Sequence, residues 1–168
     1  MTPPEARGFI EALGLARHPE GGWYRETWRA AARAPVAALG GAERSLGTSI
    51  VYLLERGDFS AFHRVRSDEL WCFHAGDPLE LFVLDEGGGL VRVVLGGDVT
   101  RGETLEHLVP AGAWQAARVA AGGAYSVLGC VVVPGFEFAD FELADRDDLT
   151  ARFPEHAALI GELTRRRA

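Results

Sequence analysis

His63 and Glu69 stand six residues apart and form the pair in this chain best suited to move a proton near neutral pH. An imidazole titrates close to neutrality. A carboxylate within hydrogen-bond reach would fix its tautomer and raise its basicity, making His63 a general base. Tyr52 is a candidate general acid. Trp71 and Phe73 share strand parity with Glu69, and together with Tyr52 and Trp114 they offer an apolar wall for a small ligand. Gln115 suits the orientation of a polar ligand group, and Arg25 and Arg64 suit a carboxylate or phosphate. Each residue also has a plainer role open to it. His63 and Glu69 can be a buried pair that only satisfies itself, the aromatics can be core, and Arg25 can pair with a carboxylate across a sheet. Tyr52 can simply find a backbone partner. His18 lies in a turn that it would cap by default, and His107 and His156 read as surface residues.

These side chains need strands to hold them. From Leu46 onward the chain is a series of short β-prone runs: 48–54, 61–65, 69–74, 79–84, 90–95, 107–109, 114–119, 124–133 and 136–142. Turn residues such as Arg56-Gly57-Asp58, Gly87-Gly88-Gly89 and Pro110-Ala111-Gly112 divide them. Strands at this spacing argue for a sandwich or a closed barrel. Trp23 to Arg29 also reads as a strand, with aromatics on both faces. Residues 30–43, rich in Ala, Gly and Pro, read as an exposed connection. A helix is expected over 3–13, with Thr2 and Glu5 spaced as a capping box and Gly14 as its stop. A second helix is expected over 154–166. By parity His74 faces away from Glu69, although a bulge would reverse it.

With 168 residues the chain fits one domain over 1–168, with a core of about 20–143. The net charge of −7, with no basic stripe in the body of the chain, argues against a nucleic-acid partner. The basic run Arg165 to Arg167 suits a solvated helix end. No apolar run reaches membrane-spanning length and no leader is evident, so a cytoplasmic location without membrane association is expected. Cys72 and Cys130 lie in apolar runs and read as free thiols.

The stretch Gly57 to Gly76 resembles the first motif of the cupin superfamily: Gly57, His63, Glu69 and Gly76 fall in register, while Val65 stands where a second His is usual. Pro110-Ala111-Gly112-Ala113-Trp114-Gln115 is similar to the second motif, with Gln115 at its His position and Thr104 where a Gly precedes it. Further stretches resemble the cupin-5 family, a domain of unknown function. They include His18-Pro19-Glu20-Gly21-Gly22-Trp23-Tyr24-Arg25-Glu26-Thr27, Ser67-Asp68-Glu69-Leu70-Trp71 and Val133-Pro134-Gly135-Phe136-Glu137-Phe138-Ala139-Asp140-Phe141. Similarity runs over about 8–163.

The resemblance implies an all-β double-stranded β-helix, a jelly-roll barrel with short N- and C-terminal helices, usually paired as a homodimer around an internal pocket. The Trp23 to Arg29 strand is a candidate for pairing across the two-fold axis. It brings no established reaction, because this fold serves oxygenases, isomerases, epimerases and non-enzymatic binders. A metal would have to sit on His63, Glu69 and Gln115, a poor set for a transition ion, so no cofactor is expected. Three readings follow. One is a metal-independent isomerase or epimerase acting on a sugar or other polar metabolite, with His63 as base. The others are a non-enzymatic metabolite binder or sensor, and a metal-dependent enzyme.

Overall fold

The computed structural model describes residues 2–165. After the helix α1 (Pro4–Leu13), the strands run β1 (Ala16–Arg17), β2 (Trp23–Arg29), β3 (Arg33–Val36), β4 (Ala42–Ser45), β5 (Thr48–Glu55) and β6 (Phe59–Val65). Then come β7 (Asp68–Gly76), β8 (Leu79–Leu84), β9 (Leu90–Leu95) and β10 (Glu106–Val109). The series ends with β11 (Trp114–Val119), β12 (Tyr125–Val133) and β13 (Phe141–Leu143), followed by the helices α2 (Arg146–Arg152) and α3 (Ala157–Glu162).

The chain is mostly β, with short helices near both ends, as predicted. The strands form a six-stranded sheet, β1-β2-β5-β12-β7-β10, and a five-stranded sheet, β13-β6-β11-β8-β9. Strand alternation gives each sheet an inward row, and the two rows meet in one apolar core. Tyr52, Leu54, Trp71 and Leu128 enter it from the first sheet, and Leu79, Leu81, Val83 and Ala117 from the second. A second cluster, with Phe62, Trp114, Leu149, Phe153 and Ile160, lies where the C-terminal helices cover the five-stranded sheet. A third holds α1 against Leu53 and Val127 on the outside of the six-stranded sheet.

Four local expectations change. The capping box does not form: Pro3 is the N-cap of α1 and makes no side-chain cap bond, while Gly14 ends the helix in the left-handed region as expected. Residues 33–45 are not plain loop but a small hairpin, β3–β4, turning through Gly40 and Gly41 at positive φ. The run 136–142 is interrupted, with residues 134–137 unpaired in any strand. A 3-10 turn over Phe138–Asp140 precedes the short β13. The helix expected over 154–166 opens as a 3-10 turn over Pro154–His156, is preceded by the separate helix α2, and its described helical part ends at Glu162. Residues 166–168, with two of the three terminal arginines, lie outside the described residues.

Candidate functional site

A cavity of about 160 Å³ opens at one end of the space between the sheets. Its floor carries His63 from β6 and Glu69 from β7, with Cys130 and Val132 from β12 and Thr48 and Ile50 from β5. Its roof comes from two segments far away in sequence. One is the turn 18–22, which contributes His18 and Glu20. The other is the stretch after β12, which contributes Phe136, Glu137, Phe138 and Phe141.

The turn is locked by backbone geometry and by one carboxylate. Gly21 and Gly22 both have positive φ. A Cβ on Gly21 would lie 2.1 Å from the Phe59 carbonyl, so only glycine fits. Asp58 accepts from the Gly22 N–H (3.0 Å) and from Arg17 (2.9 Å) and Arg165 (2.7 Å), which fixes the turn over β6. Glu20 is thereby pressed inward and is only 6% exposed. The aromatic roof is tied down in the same manner. Arg44 grips Asp140 through two bonds (2.6 and 3.0 Å), Gly135 N–H donates to Ser45 O (2.7 Å), and Arg29 donates to Glu137 (2.9 Å).

The buried polar groups carry the chemistry. His63 Nδ1 lies 2.9 Å from the Ala61 carbonyl, which can only accept, so Nδ1 holds the proton and Nε2 is bare in the neutral ring. Glu20 Oε2 lies 3.3 Å from that Nε2 and 3.4 Å from His18 Nδ1. His18 Nδ1 in turn accepts from the Glu20 backbone N–H (3.3 Å). One carboxyl oxygen thus faces two ring nitrogens that are bare when the rings are neutral, and a proton must sit on one of the three. Burial raises the Glu20 carboxyl above its ordinary value and lowers both imidazoles below theirs. The other oxygen of Glu20 accepts from Ser60 Oγ (2.8 Å).

Glu69 is bound differently. Gln115 Nε2 donates to Glu69 Oε2 (2.6 Å), and Gln115 Oε1 accepts from Trp71 Nε1 (2.8 Å). The indole can only donate, so the chain of bonds has one polarity, Trp71 to Gln115 to Glu69. Burial pushes Glu69 up to about 7, against the pull of His63. Two carboxyls and two imidazoles thus share one buried recess, with burial raising the carboxyls and lowering the imidazoles toward each other.

The sequence-derived residues therefore separate. His63 and Glu69 share the cavity, yet the carboxylate in contact with His63 is that of Glu20. Gln115 and Trp71 stand behind Glu69 and hold it. Tyr52 is buried, its hydroxyl donating to Gly21 O (2.8 Å), so it props the turn. Phe73 packs on the main core. Trp114 belongs to the cluster under the C-terminal helices, with Arg64 4.6 Å above its ring and bonded to Glu142 (2.7 Å). Arg25 is exposed, on the face of β2 opposite to Tyr24 and Glu26, which line the cavity. His74 is exposed beside Gly129. Sequence reasoning missed His18, Glu20, Arg29 and the three phenylalanines as site residues. The available signal was His18-x-Glu20 directly before a glycine pair, two titratable groups on a turn of unusual backbone.

The cupin metal position does not fit these residues. Val65 has no donor atom, the Gln115 oxygen is engaged by Trp71, and its N–H points at Glu69. Among the described residues no three His, Cys, Asp or Glu side chains are grouped to hold a metal ion.

The family model for the Cupin superfamily (DUF985) matches residues 7–144. The chain belongs to this family. A hypothetical protein from Leishmania major is 36% identical, with a TM-score of 0.90 over 96% of this chain and 99% of its own. A Shewanella oneidensis protein is 39% identical, with a TM-score of 0.87 over 96% and 98%. Oxalate decarboxylase from Bacillus subtilis shares the fold at 18% identity and a TM-score of 0.54, and the match spans 36% of that larger chain. No functionally curated protein shows significant similarity to this cupin. Among the described residues no helix is long and apolar enough to cross a membrane.

Proposed function

We propose that this cupin binds a small organic molecule in the cavity and moves a proton on it without a metal, as an isomerase or epimerase does. The carrying observation is the contact of Glu20 Oε2 with both His18 Nδ1 and His63 Nε2, where the roof of the cavity meets its floor. In this reading the shared proton sits on Glu20, leaving His63 Nε2 free to take one from a carbon beside a carbonyl. Protonated Glu69, at about 7, returns one to the substrate, and exchange with solvent then restores both groups. The cavity volume matches an engineered apolar cavity of about 150 Å³ that accepts benzene, so the inserted part of the ligand has about the size of one six-membered ring. A sugar ring or similarly sized polar metabolite fits that limit.

The experiment is proton exchange. Chelator-treated protein is incubated in deuterated water with small carbonyl-bearing metabolites, and loss of C–H signal is followed by NMR. His63→Ala should abolish exchange that the wild type supports. Exchange that needs an added transition metal, or that survives in His63→Ala, would overturn the reading.

We also propose a homodimer paired through β2, because the two-residue β1 leaves residues 25–29 of that strand as an open edge. A monomeric mass by light scattering at micromolar concentration would refute it. Two free thiols, Cys72 and Cys130, support residence in the reducing cytoplasm.

A further inference from the structure

The cavity is unbalanced in charge. Glu20, Glu26, Glu69 and Glu137 all line it, against one arginine, Arg29. That arginine is nearly saturated. Its Nε and one terminal nitrogen form a fork onto Glu26 (3.0 and 2.8 Å), and the same nitrogen also donates to Phe136 O (3.0 Å). Its other terminal nitrogen donates to Glu137 (2.9 Å), so of five N–H donors one remains. An anion entering here would meet four carboxyl groups and no free cation. At mildly alkaline pH, where Glu69 is ionised, the inner end of the cavity presents its carboxylate beside the Glu20–His63 pair, a setting that favours a ligand bearing N–H donors.

The rest of the lining is aromatic. Phe136, Phe138 and Phe141 pack edge to face, with ring centres 5.0–6.2 Å apart and planes at 67–82°. Phe138 is 54% exposed at the mouth, an apolar ring left in water at the entrance to the cavity. Rings carry negative potential on their faces, and several rings around one space attract organic cations while repelling anions.

We propose that the ligand of this cavity is a compact organic cation, an ammonium head on a body of about one ring, with its N–H donors toward the carboxyls and its body among the phenylalanines. This rests on the cavity being a small-molecule site and specifies the chemical class that it admits.

A matched charge series on one ring tests it: benzylammonium, benzyl alcohol and benzoate, titrated into the wild-type protein by calorimetry at mildly alkaline pH. Benzylammonium should bind about tenfold more tightly than benzyl alcohol, and benzoate should not saturate the site. Arg29→Ala supplies a readout of sign. Release of Glu26 and Glu137 should tighten benzylammonium severalfold, whereas an anion receptor would lose benzoate and gain nothing for the amine. Phe138→Ala, a change at an exposed ring that leaves folding intact, should weaken benzylammonium severalfold. Equal or tighter binding of benzoate, no discrimination by charge, or no binding by any of the three would overturn the proposal. The proton-exchange experiment uses none of these probes and reports on the acid–base reading separately.

Discussion

The same strands build two unlike halves of the interior. On β5 the inward row begins with Thr48 and Ile50 at the cavity and continues with Tyr52 and Leu54 in the core. On β7 the row passes from Glu69 to Trp71 and Phe73, and on β12 from Val132 and Cys130 to Leu128. Alternation is identical in both halves, so facing inward does not by itself put a residue at the cavity. Position along the strand does. At one end the sheets close on Leu54, Leu79, Leu81, Leu95 and Leu128, all fully buried. At the other end they are held apart, and the turn 18–22 and the stretch 134–141 roof the gap. The boundary is Trp71, whose ring meets Tyr52 edge to face at 5.8 Å on the dry side and whose N–H begins the bonds to Glu69 on the other.

This boundary can be broken directly. Trp71→Ala should cost about 3–5 kcal/mol in chemical denaturation, because the side chain is fully buried and its loss leaves both a void and an unpaired Gln115 oxygen. A loss below about 1 kcal/mol would mean that the two halves are not divided there.

The titrating half should give itself away through pH. Glu69 sits at about 7 in the fold, against its ordinary value of 4.5. Between those values the native protein keeps a proton that the unfolded chain has lost. This stabilisation is complete below 4.5 and is lost as pH rises through 7, by about 3 kcal/mol in all. His18 and His63 work in the opposite sense: their folded values are lowered, so their stabilisation is lost as pH falls. Comparing wild type with Glu69→Gln separates the two effects, since the amide does not titrate. Between about pH 4 and about pH 8 the wild type should lose about 3 kcal/mol relative to the variant in urea melts. A difference that stays flat with pH would remove Glu69 from the proton-exchanging set.

The smallest effect belongs to the mouth. Arg29 is one-third exposed, and its pairs with Glu26 and Glu137 are open to solvent screening. Arg29→Ala should change stability by no more than about 1 kcal/mol, while proteolysis of the 134–141 segment speeds up. A large loss of stability would place the mouth within the folding core.

Much of this architecture is legible in the chain. The runs 79–84, 90–95 and 114–119 coincide with β8, β9 and β11, because alternation and glycine-rich turns are local signals. The pair β3–β4 was not legible, since Ala, Arg and Pro carry little strand preference and the hairpin depends on Gly40 and Gly41. His63 and Glu69 were legible as inward groups through their spacing. Their partners were not. Trp114 and Arg64 have the types of ligand-binding residues, but the C-terminal helices cover that side of the sheet and draw them together there.

The mostly β fold, the family and the inward placement of His63 and Glu69 were all readable in the chain. These follow from periodicity, turn chemistry and motif register, each contained within a few tens of residues. That Glu20, forty residues before Ser60, reaches the same recess, and that Gln115 turns its amide to Glu69 instead of to a metal, were not readable there. Both depend on long-range closure. Asp58 pins a glycine turn over one sheet, and an indole that can only donate sets the direction of a buried chain of hydrogen bonds. No local pattern encodes either one.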